Sequence, residues 1–195
     1  MHIDISSHQG RIDWAKVANN KDITGVILRS TTKNGSLDVR TMENYNGILQ
    51  NIISRLDELS VYKFSYARDY AGARIEATKV LTALQSTGIH YDYLYLDMEL
   101  FDGREYTKRE TSEVIFGYFD TMIKWRCTEK LRIYTNYNYL RNILDRDVAG
   151  PFPIWLAKWS DNIGDISGYK VKLWQYTNSG QISGINGPVD LSRAI

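Results

Sequence analysis

The stretch YDYLYLDME (residues 91–99) is aromatic and aliphatic in its middle and ends on two carboxylates, Asp97 and Glu99. It contains no Lys or Arg, and so reads as a strand covered on both faces, as parallel sheets require. The helical period flanks it on both sides. Upstream, Ala73, Ala77, Val80, Leu81 and Leu84 recur at three- and four-residue spacing, and Gly88 supplies a stop. Downstream, Thr107 and Glu110 form a capping-box pattern that opens a helix carrying Val114, Ile115, Tyr118, Phe119 and Met122. Residues 91–99 are therefore the strand of a βα unit.

The same alternation continues outward from this unit. Before it come HIDIS (residues 2–6), a short helix near residues 14–19 and TGVILRS (residues 24–30). A helix with Met42, Tyr45, Ile48, Leu49, Ile52, Ile53 and Leu56 follows, then LSVYKFSY (residues 59–66). After it come a strand over residues 131–135 and a helix over about residues 138–147. Beyond Asp147 the helical period is gone. PIWLAK (residues 153–158), VKLWQY (residues 171–176) and residues 188–191 read as strands joined by Gly-, Ser- and Asn-rich loops. The count is five βα units followed by three strands lacking helices. The fold class is thus α/β, a modified TIM-type barrel. Full barrels of this kind take ~250 residues, and a chain of 195 fits one that has dropped its last helices. No linker, repeat or low-complexity segment interrupts residues 1–195, which read as one domain.

Composition excludes several classes of partner. With 43% apolar and 24% charged residues the chain is an ordinary globular one. A net charge of +1 favours neither nucleic acid nor an anionic membrane. No run approaches the ~20 apolar residues of a membrane span. Cys127 stands alone, so no internal disulfide forms. Residues 1–20 carry polar and charged groups throughout and lack an apolar core of signal-peptide length, so the expectation is synthesis in a host cytoplasm without an export tag. The 14 Tyr and 5 Trp fill the core in part, and flat rings with a polar edge also suit a sugar cleft.

In barrels of this type the site lies at the C-terminal ends of the strands. That scheme gathers Asp4 from strand one, Asp97 and Glu99 from strand four, and Asp190 from strand eight, which closes against strand one. A single strand-end Asp can equally be a cap or loop residue, and Asp4 and Asp190 taken singly admit that reading. Asp97 and Glu99 do not, because a spacing of two turns both to one face at the end of a buried strand. Crowded carboxylates raise one another's pKa, which a general acid at neutral pH needs. Four carboxylates could also bind a divalent metal. His2 and His8 show no zinc-type spacing, however, and read as polar loop or cleft residues, so neither metal nor cofactor is expected.

At these residues the chain resembles the family 25 glycoside hydrolases, the N-acetylmuramidase-type lysozymes of phage endolysins and bacterial autolysins. DISSHQGRIDW (residues 4–14) looks like that family's start, and YLYLDME matches its strand with the Asp-x-Glu pair. VYKFSYA, IYTN, WLAKW and LWQYTNSGQISGINGPVDLS are similar to segments that would supply Tyr62, Tyr134, Trp155, Lys158 and Gln175 to the substrate, and Asp190 to the site. Lys63 stands where relatives often have His, and Val61 where a Gly usually precedes the tyrosine. The resemblance implies a barrel of five βα units with three further strands and a bacterial peptidoglycan substrate. The bond cleaved would join N-acetylmuramic acid to N-acetylglucosamine, so the protein would act on the bacterial cell wall. Many such relatives carry a wall-binding module after the barrel, and one missing beyond Ile195 is a further expectation. A family 18 chitinase-like barrel would need an Asp at position 95, where this chain has Tyr95. A silent sugar-binding barrel would have lost the acid.

On that resemblance Glu99 is the general acid. Asp97 lies beside it rather than opposite, which suits orienting the substrate's 2-acetamido group as the nucleophile better than attacking directly. An inverting arrangement, with a carboxylate activating water, is the alternative. Asp4 and Asp190 would hold the network or position water.

Overall fold

The computed structural model describes residues 1–100 and 103–195. Among these, eight strands close into a barrel in chain order. They are β1 (His2–Ile5), β2 (Gly25–Arg29), β3 (Glu58–Phe64), β4 (Leu94–Met98), β5 (Leu131–Asn136), β6 (Pro153–Ala157), β7 (Lys170–Gly180) and β8 (Val189–Ala194). The helices are α1 (Trp14–Val17), α2 (Thr41–Asn51), α3 (Tyr70–Thr87), α4 (Lys108–Lys124) and α5 (Arg146–Ala149). Five βα units are followed by three strands without helices, as the sequence pattern implies.

Strand alternation divides the core in two. Outward residues such as Ile3, Val26, Val61, Leu94 and Ile133 meet the apolar faces of the helices in one continuous cluster. Inward residues Ile27, Tyr95, Tyr134, Trp155, Ala157 and Leu173 fill the barrel itself, so the lumen is a packed plug rather than a pore. α3 and α4 carry the caps that the sequence signals, whereas α2 ends at Asn51 and Ile53–Arg55 form a separate 3-10 turn. Thr107 Oγ1 accepts from Glu110 N at 3.2 Å while Glu110 Oε2 accepts from Thr107 N at 2.8 Å, completing the capping box. Gly88 ends α3 in the left-handed region at φ 68°. Gly117 lets α4 approach α3, because a Cβ there would lie 2.6 Å from both Ala73 Cβ and the Tyr70 carbonyl.

Two expectations change. The helix expected over residues 138–147 is two pieces, a π-helical turn at Tyr139–Ile143 and then α5. Leu144 leaves the helix with extended angles, and Asp145 caps a new start by accepting from Asp147 N at 2.9 Å. The barrel is also not wholly parallel. β8 runs antiparallel to both β7 and β1. The reason is the missing crossover helix. A strand joined to its neighbour by a loop of residues 181–188 returns as a hairpin, whereas parallel pairing needs a crossover of a dozen or more residues. The hairpin also makes β7 longer than its apolar run.

Candidate active site

The upper mouth of the barrel is a cleft lined by Asp4, Asp97, Glu99 and Asp190, with Tyr62, Tyr134 and Trp155 beside them. The reversal of β8 puts Asp190 at the start of its strand, and that start reaches the same mouth as the ends of the parallel strands. Asp4 and Asp190 are register partners across β1 and β8. Like charges facing each other across a ladder repel, and something must hold them. Gln175, 1% exposed on β7, does so. Its Nε2 donates to Asp4 Oδ2 at 3.1 Å and to Asp190 Oδ2 at 3.4 Å. Its Oε1 accepts from Tyr134 Oη at 3.2 Å and Trp159 Nε1 at 3.0 Å. Donors on one side and acceptors on the other fix which end of the amide is which.

Asp97 is the last inward residue of β4, and Glu99 lies one residue past that strand, two from Asp97. Their floor is aromatic. The Trp155 ring lies 4.4 Å from Tyr134 and 5.2 Å, edge-on, from Tyr95, and its Nε1 donates to Ser192 Oγ at 3.0 Å. Asp97 is 4% exposed, and its Oδ1 has no hydrogen-bond partner among the described residues. An unpaired acceptor in so dry a place is costly unless something donates to it.

Burial raises all four carboxylates above their usual range. For Asp4 the Asp190 charge adds to it, and the Gln175 hydrogen bond opposes it. For Asp97 the charges of Glu99 and then Asp4 add to burial, while Arg29 and Lys63 hold it down. Glu99 is raised by burial and by Asp190, and Asp190 by burial against its bond with Asp4. Four such groups titrate as a set, so the cleft retains protons at a pH where isolated carboxylates have lost theirs. Burial also raises the Tyr62 and Tyr134 hydroxyls, with the cleft carboxylates adding to it, so both stay neutral donors.

The structure thus brings together nearly every residue singled out above. Gln175 lies beneath the lining as its clamp. Lys158 lies apart, its ammonium donating to the Asn162 carbonyl at 2.6 Å and standing 4.7 Å from the Tyr137 ring. Lys63 points away from the lumen into the layer between β3 and α3, where it pairs with Glu76 at 3.4 Å. His8 lines the cleft, consistent with a cleft histidine; His2 lies at the opposite mouth, 3.7 Å from Glu58. Arg29 and Phe64 also line the cleft and were not singled out. The signal was present for Arg29, since TGVILRS puts a cation in phase with inward Ile27 at the end of an apolar strand. Among the described residues no three His, Cys, Asp or Glu side chains are grouped as a metal ion requires. Nor is any helix long and apolar enough to cross a membrane.

Residues 3–185 match the profile of the glycosyl hydrolases family 25. A relative in Escherichia coli strain CFT073, the uncharacterized protein YegX, is 26% identical over 200 residues, covering 97% of this chain and 67% of that protein. Among solved structures, the modular autolysin LytC of Streptococcus pneumoniae, in complex with a synthetic peptidoglycan ligand, superposes with a TM-score of 0.86 at 25% identity. That match covers 98% of this chain, which spans only 45% of the autolysin chain. A family 25 glycosyl hydrolase from Bacillus anthracis shares the fold, with a TM-score of 0.78 at 18% identity over 98% of this chain and 86% of its own.

Proposed function

The chain belongs to family 25 of the glycosyl hydrolases, and from that premise we propose that it is a lysozyme acting on bacterial peptidoglycan at the β-1,4 bond between N-acetylmuramic acid and N-acetylglucosamine. Residues 1–195 would form the catalytic domain. Glu99 is the general acid and base, and Asp97 orients the substrate's 2-acetamido group. The observation that carries this reading is the pair itself. Buried Asp97 on β4 and half-buried Glu99, one residue past that strand, stand two apart over an aromatic floor, and Asp97 has an acceptor atom with no donor among the described residues.

The chemistry follows from where each group stands. Residues two apart on a strand are separated by roughly 6.6 Å along it, at ~3.3 Å per residue. Asp97 is therefore beside Glu99 and not across a sugar from it. Glu99, the more accessible of the two, gives its proton to the glycosidic oxygen as the bond to the leaving sugar breaks. The acetamido oxygen attacks the anomeric carbon, and Asp97 Oδ1 accepts the acetamido N–H and stabilises the positive oxazolinium. Glu99, now ionised, takes a proton from water, which opens the ring and restores the acid. Gln175 keeps Asp4 and Asp190 together at the side of the cleft, and the neutral Tyr62 and Tyr134 hydroxyls, with Trp155, bound the sugar.

Digestion of purified peptidoglycan should expose reducing muramic acid. Borohydride reduction followed by sugar analysis should then yield muramicitol, and glucosaminitol in its place would make the enzyme a glucosaminidase. Since the carboxylates serve sugar chemistry here, EDTA should change the rate by less than about twofold. A loss of activity restored by one divalent cation would transfer the carboxylates to a metal.

A further inference from the structure

Arg29 ends β2 pointing into the cleft, and among the described residues it is the only Lys or Arg in that lining. A guanidinium withdrawn from water is costly unless anions compensate it, so its placement among four carboxylates has an electrostatic meaning. Its Nη2 donates to Tyr66 Oη at 3.3 Å, and its Nε has no hydrogen-bond partner among the described residues.

Tyr66 is itself braced. Its backbone N–H donates to Glu76 Oε1 at 3.0 Å, and the Lys63 ammonium lies 4.7 Å from its ring centre. The other Glu76 oxygen accepts from Ser65 Oγ at 2.8 Å and from Tyr118 Oη at 3.0 Å. Lys63, completely buried, donates to the Thr32 carbonyl at 3.0 Å. The network holds the β3–α3 loop, and that loop holds the Arg29 guanidinium.

Asp97 stands between like and opposite charges. Glu99 and Asp4 face Asp97 as like charges, and the Tyr62 and Tyr134 hydroxyls face it from β3 and β5 as neutral groups. Against the like charges stand Arg29, from β2, and Lys63, from behind β3. Glu99 is raised by burial and by the charge of Asp190.

We propose that Arg29 is a positioning residue, held by Tyr66 as the cleft's counter-charge on the Asp97 side, which stabilises the Asp97 carboxylate beside the acid Glu99. The role of Glu99 in this statement rests on the lysozyme reading, but the pairing of Arg29 with Asp97 does not. Two measurements separate them: the pH dependence of kcat/KM on purified peptidoglycan, and 13C-carboxyl NMR titration of the free protein with Asp97→Asn as the assignment control.

In Arg29→Gln the Asp97 carboxyl should titrate at higher pH. The acid limb of kcat/KM should move up with it, so the rate at the acidic end falls about tenfold or more and the deficit narrows as pH rises. Arg29→Lys should restore most of the parent profile, and Tyr66→Phe should shift the titration in the same direction by less. An Asp97 titration in Arg29→Gln that coincides with the parent overturns the proposal. So does a loss that is the same at every pH, or a raised KM with an unmoved profile, which would make Arg29 a substrate contact. Should Arg29→Gln fail to fold, the direction of the shift in Tyr66→Phe decides. A parent protein inactive on peptidoglycan would sink the lysozyme reading, and the NMR titration would still test the pairing.

Discussion

Glu99→Gln should leave a folded protein whose lysis of peptidoglycan is at least about a thousandfold slower than the parent's, the scale set by losing a general acid. The amide has the shape of the acid but no proton to give, and in the second half of the reaction it cannot take one from water. The loss should appear in kcat more than in KM, because protonation of the leaving oxygen develops only in the transition state. Stability provides the internal control. A carboxyl whose folded pKa lies above its unfolded value favours folding below the unfolded pKa and loses that contribution as pH rises through the folded one. Glu99 is raised in this sense by burial and by Asp190. Glu99→Gln should therefore melt no lower than the parent at neutral pH, and any advantage should shrink on acidification through the carboxylate range. Lysis within tenfold of the parent would remove Glu99 from the acid's role, and a lowered melting point would recast it as a structural residue.

The parts of this fold legible in the sequence are those that local pattern determines. Helical period marks α2, α3 and α4, cap residues mark α3 and α4, and the capping box at Thr107 and Glu110 forms with both bonds in place. The reversal of β8 was not legible from its own residues. Direction depends on whether a crossover helix precedes the strand, and residues 181–188 carry turn chemistry rather than helical period. The broken helix after β5 had a readable cause in Asp145, an N-cap residue inside the segment that reads as one helix. At the cleft, the spacing of two brought Asp97 and Glu99 together because Glu99 directly continues the strand that ends at Met98. The amide of Gln175 joins β7 to β1 and β8, and which atoms it bridges depends on barrel shear, which no local pattern records. For Arg29 the inward phase with Ile27 is legible, but its neighbours are not. Which carboxylates a cation at the end of an apolar strand meets depends on how the barrel closes.

Asp97→Asn should lower kcat by a factor of about a hundred or more while KM changes little. Asp97 lies deep in the cleft, 4% exposed, with Oδ1 unpaired among the described residues. The acetamido N–H of a bound sugar is the donor that this atom lacks, and Asn retains an oxygen able to accept it. Ground-state binding therefore survives the substitution. What Asn cannot supply is charge. As the acetamido oxygen attacks, the group becomes a cationic oxazolinium, and a carboxylate in a dry site stabilises that cation far more than it stabilises the neutral amide before attack. The difference falls on the transition state, and so on kcat. The same step determines the stereochemistry. Acetamido attack inverts the anomeric carbon and water attack inverts it again, so the first product seen by NMR before mutarotation should retain the β configuration. An inverted first product would end the assisted mechanism. A carboxylate would then have to activate water directly, and Asp4 and Asp190, fixed by Gln175 at the side of the cleft, would be the next residues to substitute.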